Sequence, residues 1–195
     1  MFEAAKLQLH FDQWMKDITK SDADIYHGAL LDAKGELLAV GGPSPLHYMT
    51  FESCLKNAKK YITLTEGDFI ITNDPSVGNT RLCDIILVKG VFSTRSQDLR
   101  SYVALQVTVP ELLNVSWKQI PKTLDEEGLR IPPTLLDHGN QINPHLLDYL
   151  CQTGIAREQL VGIFTEAKKR LGECADRVRQ LEESWGPEKY KKALN

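Results

Sequence analysis

The sequence predicts an α+β fold, a mostly antiparallel sheet covered by helices on one face, with a long carboxy-terminal helix. Two observations carry that prediction. A helix-patterned stretch, a hairpin, a second helix and three apolar runs follow one another through short turns, and short connections between strands favour antiparallel pairing. Further on, apolar residues recur from Leu160 to Trp185 at alternating steps of four and three, the period of a helical seam. The implied organisation is a domain over residues 1–155, a helix over 156–186 and a tail over 187–195.

Taken in order, Leu7, Phe11, Trp14, Met15 and Ile18 fall at helical spacing over residues 2–19 and form a stripe suited to a core. Ser21-Asp22-Ala23-Asp24 breaks that helix. Residues 25–31 read as a strand, Asp32-Ala33-Lys34-Gly35 as a turn whose glycine supplies the left-handed position, and residues 36–40 as the partner strand. Gly41-Gly42-Pro43-Ser44-Pro45 is a loop, since two prolines deny it a regular ladder. With no Lys-Ser or Lys-Thr after them, its glycines make a weak nucleotide cradle. His47 reads as a loop or packing histidine. Residues 51–62 form a helix burying Leu55, Ala58 and Ile62, capped by Thr50 and carrying Lys59 and Lys60 in its last turn.

Residues 69–71, 85–88 and 102–109 are strands, with a polar turn at 93–98 and Pro110 ending the last. Residues 111–143 are long, proline-spaced and without a period, a pattern suited to wrapping a partner. Trp117 there serves as a core residue or a surface anchor. Residues 128–133 run extended across the domain, with Arg130 pinned to a carboxylate or carbonyl. Asn143-Pro144 starts a short helix to Leu150, and Gly154 separates it from the last one. The seam of that last helix is Leu160, Phe164, Ala167, Leu171, Cys174, Val178, Leu181 and Trp185, and it serves either packing on its own domain or pairing with another chain. Its charges, of both signs, make a solvated face. Gly186-Pro187 stops the helix, leaving 188–195 as a frayed tail.

Composition limits the function classes. A chain of 195 residues with 42% hydrophobic and 25% charged content supports one real core. A net charge of −3 argues against a general nucleic-acid binder, which needs a basic surface to displace counterions. No apolar run reaches the length a membrane span requires, and the start lacks a secretory pattern. Cys54, Cys83, Cys151 and Cys174 form no CxxC, which suits free thiols in a reducing cytoplasm. Cys83 stands beside Arg81, a neighbouring cation that lowers a thiol pKa, although no histidine base lies near it in sequence.

Residues 67–92 hold the stretch with chemistry. Two apolar runs flank Thr72-Asn73-Asp74-Pro75-Ser76-Val77-Gly78-Asn79-Thr80, a loop that presents polar side chains from a rigid scaffold. With Glu127-Gly128-Leu129-Arg130-Ile131-Pro132-Pro133, then Leu146-Leu147-Asp148-Tyr149-Leu150 and a long helix after Arg157, this order over residues 29–186 resembles the hydantoinase B, or 5-oxoprolinase, family. Members typically read Thr-His-Leu-Pro-Asp after the loop, where this chain reads Thr80-Arg81-Leu82-Cys83-Asp84. On the next strand the family's His-His-Ala-Asp corresponds to Thr108-Val109-Pro110-Glu111. Catalytic members run to several hundred residues, so the resemblance covers their amino-terminal portion.

What the resemblance implies is a B-type subunit that completes ATP-dependent reactions on cyclic amides or ketones at a metal site, with a hydantoinase A-like partner performing phosphorylation. This sequence keeps Asp84 of the ligand positions, with Asp74 and Glu111 as further carboxylates. Arg81 beside Asp84 competes with a cation. The first expectation is therefore a truncated, non-catalytic binding or structural subunit without a metal, in which Arg81 pairs with Asp84 or Asp74. It engages a hydantoinase A-like subunit, or itself, through the helix 157–185. The second is an active subunit built on Asp74, Asp84 and Cys83, using zinc, manganese or magnesium as a hydantoinase/5-oxoprolinase-type hydrolase or a carboxylase. The third is a small module in which Arg81 and Arg130 grip a carboxylate-bearing ligand. Asn73 and Asp74 of the loop are further binding candidates.

Overall fold

Nine consecutive residues of the strand Asp84–Phe92 and ten of Leu99–Thr108 are buried over almost their whole length, so the centre of the fold is a sheet covered on both faces. The computed structural model describes residues 2–20, 26–113, 121–138, 141–186 and 188–190. The elements are α1 (Phe2–Thr19), β1 (Tyr26–Asp32), β2 (Leu37–Gly41), α2 (Tyr48–Ala58), β3 (Phe69–Thr72), β4 (Asp84–Phe92), β5 (Leu99–Thr108) and α3 (Leu124–Glu127). They continue through β6 (Thr134–Leu135), β7 (Asp137–His138), β8 (Gln141–Ile142), α4 (Pro144–Leu150) and α5 (Arg157–Trp185). Six strands form one antiparallel sheet in the order β2-β1-β5-β4-β3-β6, and β7 and β8 form a separate ribbon.

The α+β class and the antiparallel pairing follow the sequence. The helices do not keep to one face. Strand alternation sends Leu30, Ile71, Ile85, Leu87, Val103 and Leu105 towards α1, α4 and α5, and sends Ala29, Leu31, Ile70, Ile86, Val88 and Ala104 towards α2. An apolar run without alternation carries no record of which face meets a helix, so the second layer is invisible in the sequence. The α5 seam is spent inside this chain, since Leu160, Phe164, Ala167, Leu171, Cys174 and Val178 are buried in the larger core. Those positions therefore offer no free stripe for self-association. A period of four and three suits a helix on a sheet as well as a helix on a helix.

Smaller departures have local causes. Helix α2 begins at Tyr48 rather than 51 because Ser44 caps a 3-10 turn over Pro45–His47 that runs into it. Thr50 caps nothing and donates its hydroxyl hydrogen to the His47 carbonyl. The segment expected to fray holds a helical turn over residues 188–190, with Tyr190 buried in the core. The break at 21–24, the start of the first strand at Ile25, Trp117, Pro187 and the end of the tail lie outside the described residues. Among the described residues no helix is long and apolar enough to cross a membrane. All four cysteines are free thiols.

Candidate functional site

The polar loop after β3 is held by a local device at each end. Asp74 caps a 3-10 turn over Pro75–Val77, its Oδ1 accepting the Ser76 N–H at 2.8 Å. Gly78, at φ 111, ends that turn where a Cβ would stand 2.5 Å from Ser53 of α2. Asn73, fully buried, ties the loop to the segment that follows α3. Its amide donates to the Leu82 and Leu129 carbonyls at 2.6 and 2.9 Å, and its Oδ1 accepts the Ile131 N–H at 2.6 Å. The extended strap expected over residues 128–133 is thus stitched to the motif loop.

At the start of β4 the chain delivers Asp84 into the interior, fully buried. Arg81, three residues earlier and with a half-exposed side chain, grips it at both oxygens, Nε to Oδ2 at 2.7 Å and Nη2 to Oδ1 at 3.0 Å. The β4–β5 register sets Thr108 opposite Asp84, and its hydroxyl donates to Oδ1 at 2.7 Å. Two positions that the family resemblance assigns to histidines, 81 and 108, therefore both donate to the retained carboxylate. That carboxylate in turn raises the pKa of Arg81 through the hydrogen bond and holds it charged.

Two histidines that the motif does not contain reach the same place. His47 Nδ1 lies 3.8 Å from Asp84 Oδ2, and the His27 ring lies 4.4 Å from the His47 ring. His27 comes from β1 on the α2 face, and Gly42, at φ 126, lets the chain pass over it where a Cβ would stand 2.8 Å from the imidazole. The Ser44 N–H donates to His27 Nε2, so the neutral ring carries its proton on Nδ1, an atom that is buried without a partner among the described residues. Burial first, then His47 and Arg81, push His27 down to about 4 against the pull of Asp84.

That depression makes His27 a source of pH-dependent stability. Its folded pKa of about 4 lies below the value of 6.5 in an open chain, so the unfolded state binds more protons between those limits. Stability is complete above pH 6.5 and falls as pH drops towards about 4, by at most about 3 kcal/mol. Urea midpoints of wild type and His27→Gln across that window check it; equal pH slopes in the two would remove His27 as the cause.

The other candidates do not join this cluster. Asp74 lines a separate pocket with Arg130, and Arg81 is not among the residues lining it. Glu111 accepts from Gln159 at 3.3 Å, elsewhere on the surface. Cys83 is buried, its Sγ 3.9 Å from Asp84 Oδ1. Burial and Asp84 push its thiol up, outweighing the Arg81 cation expected to activate it. Among the described residues no group of three or more His, Cys, Asp or Glu is placed to hold a metal ion. The donors at Asp84 do not suit a divalent cation as they stand, since both oxygens face a guanidinium.

The hydantoinase B/oxoprolinase family model matches residues 18–195. The chain belongs to that family. Among curated proteins, the 5-oxoprolinase of Saccharomyces cerevisiae is 37% identical over 78 residues, 39% of this chain and 6% of that protein. An uncharacterized protein of Methanocaldococcus jannaschii is 35% identical over 81 residues, 39% of this chain and 14% of its own. Among solved structures, the ATP-dependent caprolactamase of Pseudomonas jessenii superposes with a TM-score of 0.72 at 19% identity, over 98% of this chain and 34% of that one. The nucleotide-free structure of acetone carboxylase superposes at 0.80 and 17% identity, over 98% of this chain and 27% of that one. This hydantoinase B chain thus spans about a third or less of the solved relatives, which share its fold.

From sequence His47 reads as a loop or packing residue and His27 is not singled out, because neither lies near Asp84 in the chain. One signal was available. His27 shares strand parity with Ala29 and Leu31, which places it on their face, but the register that brings β1 beside β5 cannot be read from one sequence.

Proposed function

We propose that this chain is a non-catalytic binding or structural subunit of a larger hydantoinase B-type assembly, in which Arg81 stands in place of a metal ion. The observation that carries the reading is the bidentate Arg81–Asp84 pair with Thr108 on the same carboxylate. A fixed guanidinium neutralises Asp84 without leaving an open coordination position, and Lewis-acid chemistry needs one. The relatives are described as an ATP-dependent caprolactamase and as an acetone carboxylase active with ATP, and a hydantoinase A-like partner is the counterpart this reading expects. Four free thiols support a reducing cytoplasm as its location.

A second reading rests on His47 and His27. His47, 3.8 Å from a buried carboxylate, and His27, whose ring lies 4.4 Å from that of His47, are with Asp84 borderline and hard donors of the kind a zinc or manganese site uses, and they support an active metal-dependent subunit of an ATP-dependent cyclic-amide hydrolase or a ketone carboxylase. It requires Arg81 to leave Asp84. Elemental analysis and calorimetric titration with manganese, zinc and magnesium separate the two. The proposed subunit holds no stoichiometric metal and gives no binding heat. Stoichiometric metal that disappears in Asp84→Ala overturns it in favour of the second reading.

A further inference from the structure

The pocket that Arg130 lines holds Asp74 and not Arg81, the second arginine of the third expectation. Arg130 shares its pocket with Asp74, across a cavity of about 370 Å³ whose remaining walls are Asp125, Gly128, Leu129, Pro132 and Tyr149. That volume falls in the range of small-molecule sites. Its walls are fixed in place. Asn73 stitches Leu129 and Ile131 to the motif loop, the Tyr149 hydroxyl donates to the Arg130 carbonyl, and a Cβ at Gly128 would stand 2.3 Å from the Leu112 carbonyl oxygen.

Two of the three charged groups lining the cavity, Asp74 and Arg130, are unspent. Asp74 is 5% exposed, and among the described residues its carboxylate accepts only the Ser76 N–H, on Oδ1, and has no cation within ion-pair distance. A buried carboxylate is costly unless a positive group compensates it. Arg130, expected to be pinned by a carboxylate or carbonyl, meets neither through its guanidinium among the described residues, although its planar donor set matches a carboxylate. Asp125 at the rim adds a second negative charge, so the cavity as a whole favours a cationic group.

We propose that this cavity binds a small zwitterion, a primary ammonium seated on Asp74 and a carboxylate seated on Arg130. Asp84 is not among the residues lining this cavity, and the test is independent of metal. Calorimetric titration with glycine, 3-aminopropionate, 4-aminobutyrate and 5-aminopentanoate measures the span between the two charges, with n-butylamine and butyrate as one-ended controls. One chain length is expected to bind with a stoichiometry of one, at least about tenfold tighter than either control. Asp74→Asn keeps the oxygen that caps Pro75–Val77 and removes the charge, so it is expected to weaken binding about tenfold or more at an unchanged melting temperature. Arg130→Gln is expected to do the same. Absence of binding heat for every zwitterion at millimolar concentration overturns the assignment. So does binding that survives both substitutions, and so does butyrate matching the best zwitterion.

Discussion

Asn73→Ala is expected to lower the unfolding free energy by about 4 kcal/mol, because it orphans three backbone groups at once, two buried and one partly buried, and each buried one costs roughly 1–3 kcal/mol. The Leu82 and Leu129 carbonyls lose their donor and the Ile131 N–H loses its acceptor. The backbone bond from the Asn73 N–H to the Ile131 carbonyl and the Thr72 hydroxyl bond to the same oxygen survive, so the strap loosens rather than leaves. Asn73→Asp divides the effect, since a carboxylate retains the acceptor for Ile131 and lacks both amide donors. Denaturant unfolding of the three proteins measures the total, and amide exchange at Ile131 reports the strap directly. A loss below about 1 kcal/mol for Asn73→Ala would mean that water replaces the lost partners and that the strap is not held by this side chain.

The same residues show what the sequence revealed and where it stopped. Residues 73 and 129–131 both lie in the stretches that resemble the family, yet their contact spans 56 to 58 positions in the chain and no local pattern encodes it. The Arg81–Asp84 pair was legible because three residues separate the partners, and chain proximity alone brings them within reach. The sequence couples Asp74 with Arg81 or Asp84, and Arg130 with Arg81; the joint pocket of Asp74 and Arg130 depends on where the strap crosses the loop. Strand positions were legible from apolar runs, while the face each run presents to α2 or α5 emerged only from pairing register. The seam of α5 shows the limit of periodicity, since an apolar stripe specifies burial without naming the surface that buries it.

Arg81→Ala is expected to destabilise the fold by about 3–4 kcal/mol, in the range found when one partner of a buried ion pair is removed. The cost arises at Asp84, which is fully buried and among the described residues keeps only the Thr108 and Thr80 hydroxyls, the Cys83 thiol and His47 at 3.8 Å around its carboxylate. Asp84→Asn is expected to cost less, about 1–2 kcal/mol, because the half-exposed Arg81 side chain it frees can turn to water. The double variant should then resemble Asp84→Asn alone, so the coupling energy in the cycle equals the cost of Arg81→Ala, about 3–4 kcal/mol. High salt should leave that coupling largely intact, since a carboxylate without solvent contact is poorly screened. Denaturant unfolding of all four proteins at two salt concentrations decides it. A coupling near zero would reduce the pair to an ordinary surface contact, and with it would go the argument that a guanidinium fills the place of a metal ion at Asp84.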